Sequence, residues 1–530
     1  MIVPETAMRA AIPSLFLFAS LLPAQRPVNW TTYAGDLQRT GWQKAETKLG
    51  PQSLSSAKLL WKLKLDNGQK ALHALQQPLI LGQLITPHGF KELAVVAGSD
   101  DNIFAIDADL GRLLWKKHFQ IPAPAGFTPH WLCPGGLTAT PVIATVPTTG
   151  PAPTGPGRGG VQALYTLASD GMLRQLNLTN GEDMAPPAQL LPKGNGKPYA
   201  LTVLNGTLYT ATGQGCGQLP NGVYGIDLLT KKTLKFETGS GGLWGIAGVA
   251  VGTDGTIYAE TGDGTSDPST NKYANSFIAL NPKDLKLKDW YTPTNWEWIY
   301  KRDLDLNVTP VVFPFKGRDL IVGGGKEGRL YLLDSKSLGG ENHQTPMFRS
   351  PLIANEDVDF QSHGIWGNLA SWEESDGTRW VLAPIWGPRH PDFKYPISNG
   401  NTPNGSVAAF KVEEANGKAS LVPAWESRDL ISPTPPVIAN GLVWALSSGE
   451  YTQQSRMDGG PGLYSADDRA KMSQKAVLYA LDAKTGKELW NSGDAMSSFT
   501  HYYGLTIANG RVYVATYDGT LYCFGIPMEH

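Results

Sequence analysis

Ala480-Leu481-Asp482-Ala483-Lys484-Thr485-Gly486-Lys487-Glu488-Leu489-Trp490 decides the fold, because the chain repeats it. The same frame recurs at Ala105-Ile106-Asp107-Ala108-Asp109-Leu110-Gly111-Arg112-Leu113-Leu114-Trp115, with the small residue, Asp, Gly and Trp in register. Weaker copies centre on Asn177, Asp227, Asn281, Asp334 and Lys411. Repetition at this spacing marks a stacked or circular architecture in which one supersecondary unit recurs. Each unit reads as a strand running into a tight turn. Asp accepts backbone hydrogen bonds there, and Gly supplies a positive φ. A second strand returns and ends in Trp, which is large enough to wedge between neighbouring sheets. Another hairpin, such as Gly441–Leu446 or Gly510–Thr516, precedes each unit, so a full unit holds four antiparallel strands.

Second strands fall near Ala94, Leu164, Leu208, Ile257, Leu320, Val381, Val443 and Val512. The last unit stops after its third strand, Thr520 to Ile526. Ala57-Lys58-Leu59-Leu60-Trp61-Lys62-Leu63 has the fourth-strand pattern and no partner before it. Pairing these ends closes a ring and removes two free sheet edges. The sequence therefore predicts an all-β, eight-bladed β-propeller of four-stranded blades over residues 25–530, closed by its N-terminal strand.

Composition agrees. Among 530 residues, 60 Gly and 39 Pro suit many tight turns, 16 Trp supply large fillers, and 41% hydrophobic content is enough for a core. A net charge of −2 gives no basis for attraction to nucleic acid or an acidic membrane. Arg9 precedes the apolar run Ala10–Leu22, with small residues at Pro23-Ala24. This reads as a signal peptide over 1–24 and predicts export to a periplasmic or extracellular compartment. Such a compartment permits disulfides, but Cys133, Cys216 and Cys523 cannot all pair. Cys523 alternates with apolar neighbours as a core filler, which leaves a Cys133–Cys216 bridge open. Thr148–Gly160, Gly387–Asn404 and Ser447–Lys475 read as insertions, the last two between second and third strands of blades six and seven.

Alternating strand directions put the second-to-third loops on the same face as the blade-to-blade connections. His73, His130, His363 and His501 fall in connections. Asp170, Asp263, Lys326, Arg389, His390 and Asp518 fall in second-to-third loops. That face is the expected working surface, set over the central channel.

The repeats resemble those of the quinoprotein dehydrogenases, which use pyrroloquinoline quinone (PQQ) and are eight-bladed propellers. The unit at Ala480–Trp490 and the opening Trp30–Asp36 with Arg39 carry the resemblance over nearly the whole chain. It implies an exported oxidoreductase acting on an alcohol or sugar hydroxyl with PQQ and calcium. Trp244 matches the Trp that stacks under the quinone, and Lys326 a cation that contacts its oxygens. Asp263 stands where the family has a calcium-ligating Asn. Asp303 matches the catalytic base, with Asp305 taking that part if the register slips. The chain departs from the family in three ways. It has no adjacent cysteine pair, the Gln214-Gly215-Cys216-Gly217 stretch fills the place of a calcium-binding Glu, and no cytochrome domain is present, so a separate electron acceptor is implied. Two alternatives stand beside this. One is a non-catalytic propeller that binds an envelope protein or glycan; the other is a metal site built from His130, His363, His390 or His501.

Overall fold

The computed structural model describes residues 27–528, apart from 88, 123–125, 151–159, 359–361 and 502. The predicted signal segment and most of the Thr148–Gly160 loop lie outside the described residues.

Eight four-stranded antiparallel blades are present among the described residues. Their second strands are Gly89–Gly98, Gln162–Leu167, Thr207–Thr212, Ile257–Thr261, Arg318–Gly324, Arg379–Trp386, Leu442–Ser447 and Arg511–Ala515. Each holds the residue from which the sequence predicted it. The ring closes as expected. Lys58–Lys64 pairs antiparallel with Thr520–Gly525, Trp61 lying opposite Cys523 and Leu63 opposite Leu521. Cys523 is buried and free, which is the filler role expected of it.

The repeat explains how blades lock together. In its turn, Asp482 Oδ1 accepts the Lys484 and Thr485 N–H groups, and Gly486 donates its N–H to the Asp482 carbonyl. The Trp of one blade then docks on the turn of the next. Trp425 Nε1 donates to the Ala483 carbonyl at 3.0 Å, Trp115 to Leu178 at 3.0 Å and Trp61 to Ala108 at 2.9 Å. Gly486 has φ +68°, and a Cβ there would lie 2.3 Å from the Trp425 ring. Glycine is thus required twice over, by its backbone conformation and by its neighbour.

One repeat is corrected. The copy centred on Lys411 has its turn at Asn416-Gly417 instead, because the third strand of blade six runs on to Ala415, which pairs with Lys418. The longer hairpin slides the turn outward without moving the docking Trp425.

Residues Trp30 to Gln43 circle the propeller axis and bond to every blade's inner edge in turn. Trp30 bridges to Ile80, and the carbonyls of Thr31, Leu37, Gln38 and Thr40 accept N–H groups from Ile143, Val251, Val312 and Ser371. Thr32 reaches Leu201, Trp42 pairs with Ile438, and the Gln43 amide reaches the Ile507 carbonyl. Arg39 is fully buried among carbonyl and hydroxyl oxygens, donating to Val249 and Tyr33. Such a girdle ties the eight inner edges to one another. Among the described residues, no helix is long and apolar enough to cross a membrane.

Candidate functional site

A cavity of about 280 Å³ opens at the channel mouth. Trp131, Lys197, Trp244, Asp303, Asp305, Asn307, Trp366 and His501 reach it from blade-to-blade connections, and Gln214, Asp263, Lys326 and Gln454 from second-to-third loops. Every contributing loop is of the two kinds assigned to one face from strand alternation. The volume is near the lower end of the ~300–1,000 Å³ range of small-molecule sites.

The structure brings Asp263, Asp303, Trp244 and Lys326 together around this cavity. Asp303 follows the short helix Trp296–Lys301 and takes the left-handed conformation, φ 55°, that ends it. Leu304 N–H returns to the Ile299 carbonyl at 3.0 Å. Glycine usually fills such a position, but Asp tolerates it better than most residues. Here the turn carries a carboxylate to the cavity wall.

Lys326 holds the acidic side together. Its Nζ lies 2.9 Å from Asp303 Oδ2 and 3.2 Å from Asp305 Oδ2, and 5.5 Å from the centre of the Trp366 ring. Asp305 Oδ1 also accepts the Asp263 N–H at 3.0 Å. Burial pushes the Asp303 carboxyl up to about 6, even though the Lys326 ammonium pulls it down. Burial and the nearby Asp305 raise Asp263. Although burial works against it, Lys326 is raised by its two carboxylates and stays a cation.

Gly323-Gly324-Gly325 leads directly into Lys326. All three make room for the protein itself. A Cβ at Gly325 would lie 1.9 Å from the Asp305 carbonyl, and one at Gly323 would lie 1.6 Å from Glu260 Oε1. Lys326 N–H can then reach the Asp305 carbonyl at 2.9 Å. The glycines fix where Lys326 sits.

Sequence reasoning missed Lys197 and Asn307. Lys197 is 3% exposed, with Nζ 5.5 Å from the Trp244 ring centre, and desolvation lowers its amine to about 7. Asn307 is buried, and among the described residues neither end of its amide has a partner; Trp244 Nε1 is likewise unpartnered among them. Neither residue sits in a motif, so no local signal marks them. Cys133 and Cys216, left open by the sequence, form a disulfide. It ties the loop carrying Trp131 to the loop carrying Gln214. Of the proposed metal histidines, His501 binds Glu450 at 2.9 Å, and His390 and His363 lie apart from the cavity lining. Among the described residues, the carboxylates able to share a metal are those of Asp263, Asp303 and Asp305, whose oxygens lie within 4.8 Å of one another.

Comparison with solved structures decides the architecture. The quinohemoprotein alcohol dehydrogenase from Comamonas testosteroni superposes with a TM-score of 0.57 at 15% identity, covering 96% of this chain and 82% of that one. The chain has the quinoprotein-dehydrogenase fold. A europium-containing methanol dehydrogenase gives a TM-score of 0.57 at 13% identity, covering 94% and 98%. The quinohemoprotein alcohol dehydrogenase ADHIIG from Pseudomonas putida HK5 gives 0.55 at 14%, covering 95% and 82%. At such identities the likeness is one of fold. Residues 425–526 match the family described as outer membrane protein assembly factor BamB. No curated protein matches the chain in sequence.

Proposed function

We propose that this quinoprotein-like propeller is an exported oxidoreductase that oxidises an alcohol or sugar hydroxyl using PQQ and calcium. The observation that carries the reading is the convergence of Asp303, Lys326, Trp244 and Asp263 on one cavity. The residues present fit both groups. Trp244 offers a flat indole for a planar ring. Three carboxylates within 4.8 Å of one another suit a hard cation with oxygen ligands. The orphaned Asn307 amide offers a further carbonyl oxygen in the same lining. When bound, PQQ supplies the two-electron acceptor and calcium the Lewis acid, chemistry that no side chain here provides.

The protein's part is to bind, orient and move a proton. Asp303, raised to about 6, is largely ionised at neutral pH yet more basic than a free carboxylate, which suits a general base toward a hydroxyl. Lys326 fixes its orientation through the 2.9 Å contact. Base-form Asp303 is depleted as pH falls through about 6, so turnover should fall there too. Asp263, Asp305 and Asn307 would hold the cation. The disulfide accords with an oxidising compartment outside the cytoplasm.

The test is reconstitution of purified protein with PQQ and Ca²⁺, read by thermal shift and by dye reduction with a panel of alcohols and sugars. D303N should keep the thermal shift and lose about 10²–10⁴ of turnover. No shift, under conditions that load a known quinoprotein, would overturn the reading. The match of residues 425–526 to an assembly-factor family favours a second one, a binding scaffold for an envelope protein or glycan. In that case the aromatic loops recognise a partner and no quinone binds.

A further inference from the structure

The two lysines of the cavity differ in one respect. Lys326 is neutralised by two carboxylates. Lys197 makes no ion pair or side-chain hydrogen bond among the described residues, although it is the more buried of the two. Its backbone is pinned to the end of the second strand of the same blade. Gly213 N–H donates to the Lys197 carbonyl, and Pro198 bridges to Thr212, so the amine is held at the cavity wall.

The groups that face Lys197 offer it no anion. The Trp244 ring lies on one side. His73 and His501, packed edge-on 4.7 Å apart, feel its charge and are both lowered, chiefly by burial. Glu450 stands behind them with both oxygens engaged, one by Arg469 at 2.7 Å and one by His501 at 2.9 Å. Asp263, Asp303 and Asp305 gather instead around Lys326. The cavity therefore has an acidic pole around Lys326 and a basic pole around Lys197, with Trp244 in the lining beside Lys197. A buried amine without a counter-ion is a standing desolvation cost, which an arriving anion relieves.

We propose that Lys197 is the anchor for a carboxylate on the ligand that lies over Trp244. One amine, with a flat ring beside it in a small cavity, suits a carboxylate better than a phosphate, which would call for more donors. The inference rests on the cavity being the ligand site assigned above. The carboxylate has two sources: a ring carboxylate of PQQ, or an acid group on the substrate, as in a sugar acid.

Carboxylate binding should hold the Lys197 proton, so the complex takes up protons near neutral pH. Calorimetry in two buffers of different ionisation heat reads this directly. The probes are PQQ, D-gluconate and the neutral polyol D-glucitol, each with wild type and with Lys197→Met. At least one carboxylate should bind wild type with uptake of a fraction of a proton at pH 7.5. Lys197→Met should weaken that binding tenfold or more and abolish the uptake, while melting no lower than wild type. Glucitol should not distinguish the two proteins. PQQ alone behaving this way assigns the cofactor; gluconate behaving so without PQQ assigns the substrate and removes the quinone reading. PQQ binding both proteins equally, with gluconate not distinguishing them, would sink the anchor and leave the quinone reading intact. Carboxylates that fail to bind, or that bind wild type without proton uptake, overturn the proposal without recourse to the variant.

Discussion

Tryptophan is used in two ways in this molecule. On the perimeter, Trp61, Trp115, Trp425 and Trp490 each donate Nε1–H to a carbonyl of the adjoining blade. At the channel mouth, Trp244 Nε1 is buried without a partner among the described residues, as is the Asn307 amide in the same lining, and Lys197, which lies against the Trp244 ring, has no ion pair among them. The four docking indoles are satisfied within the chain, whereas that of Trp244 is not, although Trp366 in the same lining donates to the His363 carbonyl. Buried polar groups in folded proteins are overwhelmingly paired; exceptions also occur inside blades, at Trp380 and Trp444, but those of Trp244 and Asn307 line a cavity, where a ligand can reach them.

The largest expected effect breaks the perimeter. Trp425 is fully buried between blades six and seven. Trp425→Ala should destabilise by about 3–5 kcal/mol, measured by thermal or urea unfolding, through the cavity it leaves. An effect near zero would mean that the docking contact is dispensable to ring closure.

A smaller loss is expected from the acidic pole. Lys326→Met leaves Asp303 and Asp305 without their counter-ion. The cost should be about 2–3 kcal/mol, below the usual loss for a broken buried pair because Asp303 is partly exposed. Burial already holds the Asp303 carboxyl up at about 6, and loss of the ammonium that pulls it down raises it further, so its protonation relieves the strain. The melting temperatures of variant and wild type should converge as pH is lowered and separate as it rises through about 6 and beyond. Divergence in the opposite direction would contradict the assignment of Lys326 as their counter-charge.

The smallest effect sharpens the contrast most. Trp425→Phe removes a hydrogen bond and should cost about 1 kcal/mol beyond the loss of ring area. Trp244→Phe removes no hydrogen bond and should escape that term. Its consequence belongs to ligand affinity, read by fluorescence or calorimetry. Equal losses of stability would erase the distinction between the two uses.

Much of this was legible before any coordinates. The turn of Asp482 and Gly486 is local chemistry, and so is the alternation that gives each strand two faces. The incomplete last unit and the spare strand around Trp61 together imply closure. Strand direction alone separated the two faces, and the family likeness named Asp303, Trp244, Lys326 and Asp263, which the fold gathers at one cavity. The turn of blade six was misplaced because hairpin length depends on pairing across the strands, and Ala415–Lys418 is not fixed by any turn motif.

What the sequence by itself determined was the repeating unit, its count and the sidedness of the disc, because those follow from interactions between residues close in the chain. Only the tertiary structure decided that Cys133 meets Cys216, that Gly325 makes room for Asp305, and that Lys197 is buried with no anion beside it among the described residues. Those outcomes depend on loops from separate blades meeting around one axis. Burial and pairing are properties of that meeting, and no segment carries them alone.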